Sequence, residues 1–489
     1  AFKTIGAHAI KFGVAFERDQ LNMLGLSNPN GVFSFGTLAK FLTNVPSSFN
    51  AGFPDTLTPR GYRQTIFGTY VQDDWRYKPN LTLNMGLRYE ISTVPTEVQG
   101  KLVNLEHMSD ATPHLGSPLF SNPTYRNFEP RVGFAWDPFH NGKTSIRGGF
   151  GMFDVLPLTY LVALRDVLSA PFFKLGTIKN PGAGTFFAGA FPELGVGTLR
   201  MDYMQPAMKR AYTMQWNWSI QHQLTPSLTV MGAYVGSRGV HLPFTVDDGD
   251  VVLPTKTSAG YLWPSPVGSG TRVNENWGEV RFWLPQAYSS YNALEAQVTK
   301  RMSHGLQLQS SFTWGKSMDT NSASVAGDQF GSSIASLSWF DQSLTRGLSD
   351  FNVGRTLVVN AVWQVPSPKS ISGPAHWLTN GWQLGGIFTA EDGIPFTPTF
   401  GTDGDPLGLN SGDTWDFPTR LTGPGCNQLV NPRNPNNFVK TQCFAVPTAP
   451  SLSYWTANCD PAFGTPTNLQ CFNLRGNSGR NVVPSPGIA

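Results

Sequence analysis

Residues Val71–Glu90 read VQDDWRYKPNLTLNMGLRYE, and the second half of this stretch alternates without a fault. Leu81, Leu83, Met85, Leu87 and Tyr89 stand on one side, and Thr82, Asn84, Gly86, Arg88 and Glu90 on the other. That is the period-2 pattern of a strand with one apolar and one polar face. Upstream, Thr65–Trp75 predicts a partner strand with Phe67, Thr69 and Val71 on its apolar side and Trp75 and Tyr77 close to the turn. Lys78-Pro79-Asn80 supplies a tight polar turn between the two. This long hairpin, aromatic at its ends and nearly uncharged in its middle, is the unit that the remaining sequence repeats.

Working outward, His8–Asp19 predicts a first strand, Gly31–Gly36 a short second one, and Arg131–Trp136 with Thr144–Phe153 a further pair. Ala211–Gln223 alternates most clearly: Tyr212, Met214, Trp216, Trp218 and Ile220 oppose Thr213, Gln215, Asn217, Ser219 and Gln221. It turns at Thr225-Pro226-Ser227 and returns through Leu228–Ser237. Tyr291–Arg301 pairs with Leu306–Lys316, where Leu306, Leu308, Phe312 and Trp314 face away from Gln307, Gln309, Ser311 and Thr313. Arg355–Val365 and Trp382–Glu391 follow. Long connections are expected at about Gly239–Tyr288 and Ser317–Asp350. Leu156–Leu168, which carries Arg165 and Asp166, reads as a loop segment, and the tail from about Thr402 as irregular.

Composition narrows the class. Charged residues make up 14% of the 489, aromatics 12%, with 51 glycines and 38 prolines. Ordinary soluble domains carry roughly a quarter charged residues. Mean hydropathy is −0.19, and no apolar run approaches the length of a membrane-spanning helix. Low charge, many aromatics and short alternating segments fit strands that face lipid on one side. A net charge of +3 is too small and dispersed to point to nucleic acid.

The order of connections is more telling than any single strand. Short turns and long polar loops alternate along the chain. A soluble sandwich has no reason to put every long connection at one end, whereas an outer-membrane barrel has short periplasmic turns and long external loops. The polar faces are Gly, Gln, Asn, Thr and Ser, which suit a wet lumen. The expectation is therefore an all-β, antiparallel transmembrane β-barrel in the outer membrane of a Gram-negative bacterium. Leu83, Met85, Leu87, Phe134, Trp216, Trp218, Leu308 and Phe312 are its expected membrane-facing residues, and outer-membrane lipid its first partner.

The stretches YVQDDWRYKPNLTLNMGLRYE (Tyr70–Glu90) and PRVGFAWDPFHNGKTSIRGGFGMF (Pro130–Phe153) resemble paired barrel strands of TonB-dependent outer-membrane receptors. AYVGSRGVHL (Ala233–Leu242), SYNALEAQVTKRMSHGLQLQSSFTWGKSMD (Ser290–Asp319) and NGWQLGGIFTAEDGIPFT (Asn380–Thr397) resemble the Oar-like branch of that family. The resemblance implies a barrel of about 22 strands, of which about 12 are legible here. It also implies a regulatory-like domain, a plug and final strands, none of which this sequence shows. The expectation is thus that residues 1–489 are part of a barrel domain, with 402–475 a long cysteine-containing loop within it. The implied function is energised transport: outer loops bind a scarce solute (carbohydrate, peptide or metal chelate), and a TonB-type complex couples through the plug. The alternatives are a surface-adhesion or protein-export barrel of the Oar type, and a secreted β-rich enzyme with paired carboxylates.

Catalytic and metal signals are weak. The eight histidines are scattered without zinc-ligand spacing, and no nucleophile elbow, phosphate loop or complete dinucleotide fingerprint occurs. No catalytic residue and no cofactor is expected. Gly148, Gly149 and Gly151 sit inside a strand, where small residues ease curvature. Asp247-Asp248-Gly249-Asp250, and Asp403-Gly404-Asp405 with Asp413 and Asp416, lack the alternate acids and closing Glu of a calcium loop and read as turns. Cys426, Cys443, Cys459 and Cys471 all fall in the last long loop, pointing to two disulfides in an oxidising compartment with connectivity left open. Tyr261, Trp263, Trp277, Trp283 and Trp339 are loop aromatics that either stack on a solute or pack the loops together.

Overall fold

The computed structural model describes residues 1–24, 28–53, 59–185, 187–194, 199–246, 249–250, 252–258, 260–262, 272–322, 339–366, 373–398, 417–445, 451–459 and 476–487. A 15-stranded sheet dominates, and twelve of its strands follow one another as an antiparallel meander. They are β1 (Phe2–Ile5), β2 (His8–Leu24), β3 (Pro59–Lys78), β4 (Leu81–Ser92), β5 (Phe128–Trp136) and β6 (Thr144–Asp154), then β7 (Tyr212–Thr225), β8 (Leu228–Val246), β9 (Val280–Ser303), β10 (Leu306–Asp319), β11 (Arg355–Gln364) and β12 (Gln383–Glu391). Each strand pairs with its sequence neighbour, and β1 and β12 stand at the two edges without pairing to each other. The sheet is an open barrel wall.

Connections obey the expected rhythm. At one end lie Gly6-Ala7, Pro79-Asn80, residues 137–143, Pro226-Ser227, His304-Gly305 and residues 365–382. At the other lie the long segments 25–58, 93–127, 155–211, 247–279 and 320–354. His304 (φ 51°) and Gly305 (φ 73°) both occupy the left-handed region, as a two-residue turn matched to the right-handed twist of its strands demands. Neighbouring short turns are laced together where Asn80 Nδ2 donates to the Asp137 carbonyl at 2.8 Å.

Register keeps the two faces separate over many strands. One row runs Leu83, Phe134, Gly148, Trp218, Tyr234, Leu294 and Trp314 from β4 to β10. A second runs Trp136, Ile146, Ile220, Gly232, Ala296, Phe312 and Leu357. Two glycines in these strands lie directly under rings. A Cβ on Gly148 would sit 2.5 Å from the Phe134 ring, and one on Gly236 2.4 Å from Trp216, so each glycine lets an aromatic lie flat across its neighbour strand.

Several expectations are corrected. Phe2–Ile5 forms a hairpin with β2 ahead of the expected first strand. The short strand near Gly31 is real (Val32–Ser34) but belongs to a separate three-stranded sheet with Ser48–Gly52 and Leu175–Lys179. Within Leu156–Leu168, Thr159–Asp166 is an α-helix. The loop expected over Gly239–Tyr288 is shorter, because β8 runs on to Val246 and β9 begins at Val280. The tail contains the paired strands Thr419–Arg420 and Phe444–Ala445 and the helix Leu452–Asn458.

Hydrophobic cores lie among the long connections and the strand extensions that enter them. One packs Val103, Leu105, Met201, Phe244, Phe282 and Leu284, and a second packs Tyr62, Leu102, Phe120, Leu161, Met204 and Trp283. By contrast Val14, Phe16, Met85, Leu87, Trp218, Leu294 and Trp314 on the sheet face are exposed. Loops here form a packed cap, and the sheet below it turns an apolar face outward from the chain.

Candidate solute-binding site

The polar face of the sheet is built from the positions between those apolar rows. Lys11, Gln72, Gly86, Arg131, Gly151, Gln215, Ser237, Tyr291 and Ser317 form one row from β2 to β10. Two concavities open on this face. The first, about 470 Å³, is bounded by Lys11, Tyr70, Gln72, Asn84, Arg88 and Arg131. The second, about 580 Å³, is bounded by Ser237, Tyr291, Ser317, Ser349, Asn352 and Thr356.

Several cations along this face have carboxylate partners, while Arg147 donates to the Ser145 hydroxyl. Lys11 Nζ donates to Asp74 at 2.9 Å, and Asp74 also accepts from Asn84 at 2.7 Å. Arg88 pairs with Glu90, and Arg131 with Glu129 at 2.8 Å. At the cap end of β6, on the other side of the strand, Arg210 meets Asp154 at 2.6 Å. Arg131 also lies over the Phe153 ring, 4.5 Å from its centre. The result is a wall rich in hydrogen-bonding groups whose charges are internally balanced.

Above it, the cap hangs on two buried carboxylates. Asp166, at the end of the helix Thr159–Asp166, accepts from Tyr62 Oη at 2.6 Å and from the Val103 N–H at 2.7 Å, with Arg60 Nε 4.0 Å away. Burial pushes the Asp166 carboxyl up to about 7, against the opposing pull of these donors. Asp202 accepts from Ser169 Oγ at 2.6 Å and faces Arg281 Nε at 2.8 Å, and Arg281 also donates to the Arg165 carbonyl at 2.9 Å. A lone arginine inside the apolar run Val280–Leu284 was the one sequence signal for this second node. Burial also raises the carboxyl of Asp250, which accepts from the Asn274 N–H at 2.8 Å.

Leu83, Met85, Leu87, Phe134, Trp216, Trp218, Leu308 and Phe312 share one face by register. Trp277 and Trp283 are buried in the cap cores and Trp339 packs against Phe282 with ring centres 5.0 Å apart, so these three hold the loops together. Trp263, Asp247, Asp248, Asp403, Asp405, Asp413, Asp416, Cys471 and the Tyr261 side chain lie outside the described residues. Cys426 and Cys443 are joined by a disulfide, and Cys459 is disulfide-bonded as well. Among the described residues no three His, Cys, Asp or Glu side chains gather as a metal site would require.

With this geometry in place, the profile of the outer membrane beta barrel domain matches residues 1–489. The chain belongs to the outer-membrane β-barrel family. This places the barrel wall in the Gram-negative outer membrane. Among solved structures it is similar to the outer membrane transporter YddB from Escherichia coli, at 12% identity and a TM-score of 0.47, over 82% of this chain and 42% of that one. It is also similar to the FrpB iron transporter from Neisseria meningitidis, F3-3 variant (12%, TM-score 0.37, 80% and 45%). A third is the ferric-catecholate import receptor Fiu from E. coli K12 (12%, TM-score 0.37, 80% and 46%). This β-barrel chain spans less than half the length of each. Comparison with curated proteins returns no match.

Proposed function

We propose that this barrel chain is the wall and outer cap of an energised, TonB-dependent receptor that binds a scarce solute and does not catalyse a reaction. In this reading the apolar face, including Leu83, Met85, Leu87, Phe134, Trp216, Trp218, Leu308 and Phe312, contacts lipid. The polar face then lines the lumen. The observation that carries the reading is the division of labour between the two ends of the sheet. Five long connections of the meander lie at one end and are welded into a cap with its own cores, while the opposite end is closed by five short turns and the longer link 365–382. A cap of that kind presents a shaped surface to the outside, and loops on a rigid scaffold are where binding residues gather.

The chemistry of the polar face favours an uncharged polyhydroxylated or amide-bearing solute. Lys11, Arg88 and Arg131 on it are neutralised by Asp74, Glu90 and Glu129, and the concavity below the cap offers hydroxyls and an amide. Neutral oligosaccharides fit this better than a charged metal chelate. The test is solute uptake by cells carrying the protein, with and without the inner-membrane energy-coupling protein, using neutral oligosaccharides and ferric chelates in parallel. Uptake of an oligosaccharide that stops when coupling is removed supports the proposal. Loop-dependent cell adhesion, with no coupled uptake of either class, would sink it in favour of the surface-adhesion reading.

A further inference from the structure

On the face assigned to lipid, the apolar rows give way abruptly at the cap side of β8, β9 and β10. Below the boundary stand Tyr234, Leu294 and Trp314; the next row carries Gly236, Asn292 and Lys316, and the one after it Arg238, Ser290 and Met318. From Leu306 to Trp314 β10 runs nine residues, the length with which a tilted strand crosses the hydrocarbon. Arg238 therefore stands beyond the hydrocarbon, on the outside of the wall, at headgroup level.

At that level the structure holds an open cavity of about 870 Å³, roofed by the segment 339–346. Lys209, Arg238 and Arg346 stand around it and all three are exposed. Among the described residues none of the three makes an ion pair, in contrast to Lys11, Arg88 and Arg131 of the polar face. Asp319, the cavity's carboxylate, is already engaged by the buried Arg480. The wall also carries two buried polar atoms without a hydrogen-bond partner: the Trp339 indole N–H, a donor, and Gln342 Oε1, an acceptor. Unopposed cations with a spare donor suit phosphate oxygens, and a spare acceptor suits a hydroxyl of the same molecule.

We propose that this cavity binds the phosphorylated sugar headgroup of an outer-leaflet lipid, with Lys209, Arg238 and Arg346 on the phosphate and Gln342 on a sugar hydroxyl. The position argues for a lipid over a soluble anion, because the lining includes Trp216, Arg238 and Asn292 from the outward side of the wall, and Asn292 is one row from Tyr234 and Trp314, where acyl chains would lie. This inference rests on the lipid-facing assignment made above.

The experiment uses the chain joined to further strands that pair with β1 and β12, in phosphatidylcholine nanodiscs titrated with bisphosphorylated lipid A, dephosphorylated lipid A or inorganic phosphate, with native mass spectrometry counting bound lipid. Retention of the phosphorylated form alone is expected, weakened about fivefold for each cation removed in Lys209→Gln, Arg238→Gln and Arg346→Gln. Equal retention of both lipids, or no effect of the triple variant, would overturn the headgroup site. Competition by millimolar inorganic phosphate in place of lipid would overturn the lipid as its source. Brominated acyl chains provide the separate control. Quenching of tryptophan fluorescence that is reduced in Trp218→Phe and Trp314→Phe upholds the lipid-facing assignment whatever the headgroup result, and its absence overturns both.

Discussion

Asp166 shows how much a single buried carboxyl governs in the cap. Its folded pKa stands near 7 against an ordinary value of 3.8, so between those values the folded state holds the proton more tightly than the unfolded one. Stability of the cap then falls as pH rises through that window and is lowest above it. The Val103 N–H, which donates to Asp166, reports this directly. Its hydrogen-exchange protection, corrected for intrinsic rate, is expected to be higher at about pH 5 than at about pH 8, and Asp166→Asn should flatten the profile. Protection that is already independent of pH in the parent protein would contradict the assignment. No local pattern marks Asp166 in the sequence, since its partners Arg60, Tyr62 and Val103 come from distant segments and only the fold brings them together.

At the scale of the strand, the test lies in the two faces. Trp218→Arg or Leu308→Arg near the bilayer midplane is expected to cost about 2–4 kcal/mol, read from reversible folding into lipid vesicles. A change below about half a kcal/mol at both positions would count against the assigned faces. These faces were legible because β4, β7 and β10 are apolar on one side only, which is the condition for alternation to appear. The extensions of β8 and β9 were not, and the reason is physical: Phe244, Val246, Val280, Phe282, Trp283 and Leu284 are buried within the cap, so both sides of the strand are apolar and period 2 vanishes. Pro243 and Pro285, which face each other beside a bulge, read as breakers. The helix Thr159–Asp166 was hidden for another reason, since Leu158 offers no side-chain cap and eight residues are too few for a clear 3.6-residue period.

Across the whole molecule, two strand edges decide how the chain behaves. Among the described residues the outer edges of β1 and β12 leave backbone N–H and C=O groups unpaired, and each such group costs several kcal/mol in hydrocarbon. The exposed apolar face makes water no better a solvent. The 489-residue chain expressed alone is therefore expected to aggregate or to require denaturant, whereas joined to further strands that pair with β1 and β12 it should insert. A soluble, monodisperse monomer in detergent-free buffer would defeat this. The cysteines give a second global readout. In protein passed through an oxidising compartment, Cys426, Cys443 and Cys459 should resist thiol alkylation until reduced, and mass spectrometry finding them free would remove the covalent tie from the last loop.

Arg480 has a consequence for the order in which the barrel is made. It reaches Asp319 across 161 residues and Asp350 across 130, while five hairpins of the meander close over turns of two to seven residues. Contacts of such separation form late, after the local pairings have paid their entropy. The tail should therefore act as a latch that snaps shut only when β10, β11 and β12 are already aligned. Pulse proteolysis during refolding of Arg480→Ala should find normal hairpins but a rim near Ser349 and Asp350 that stays open to cleavage. Early protection there, equal to that of the parent protein, would show that the latch is not the last piece to close.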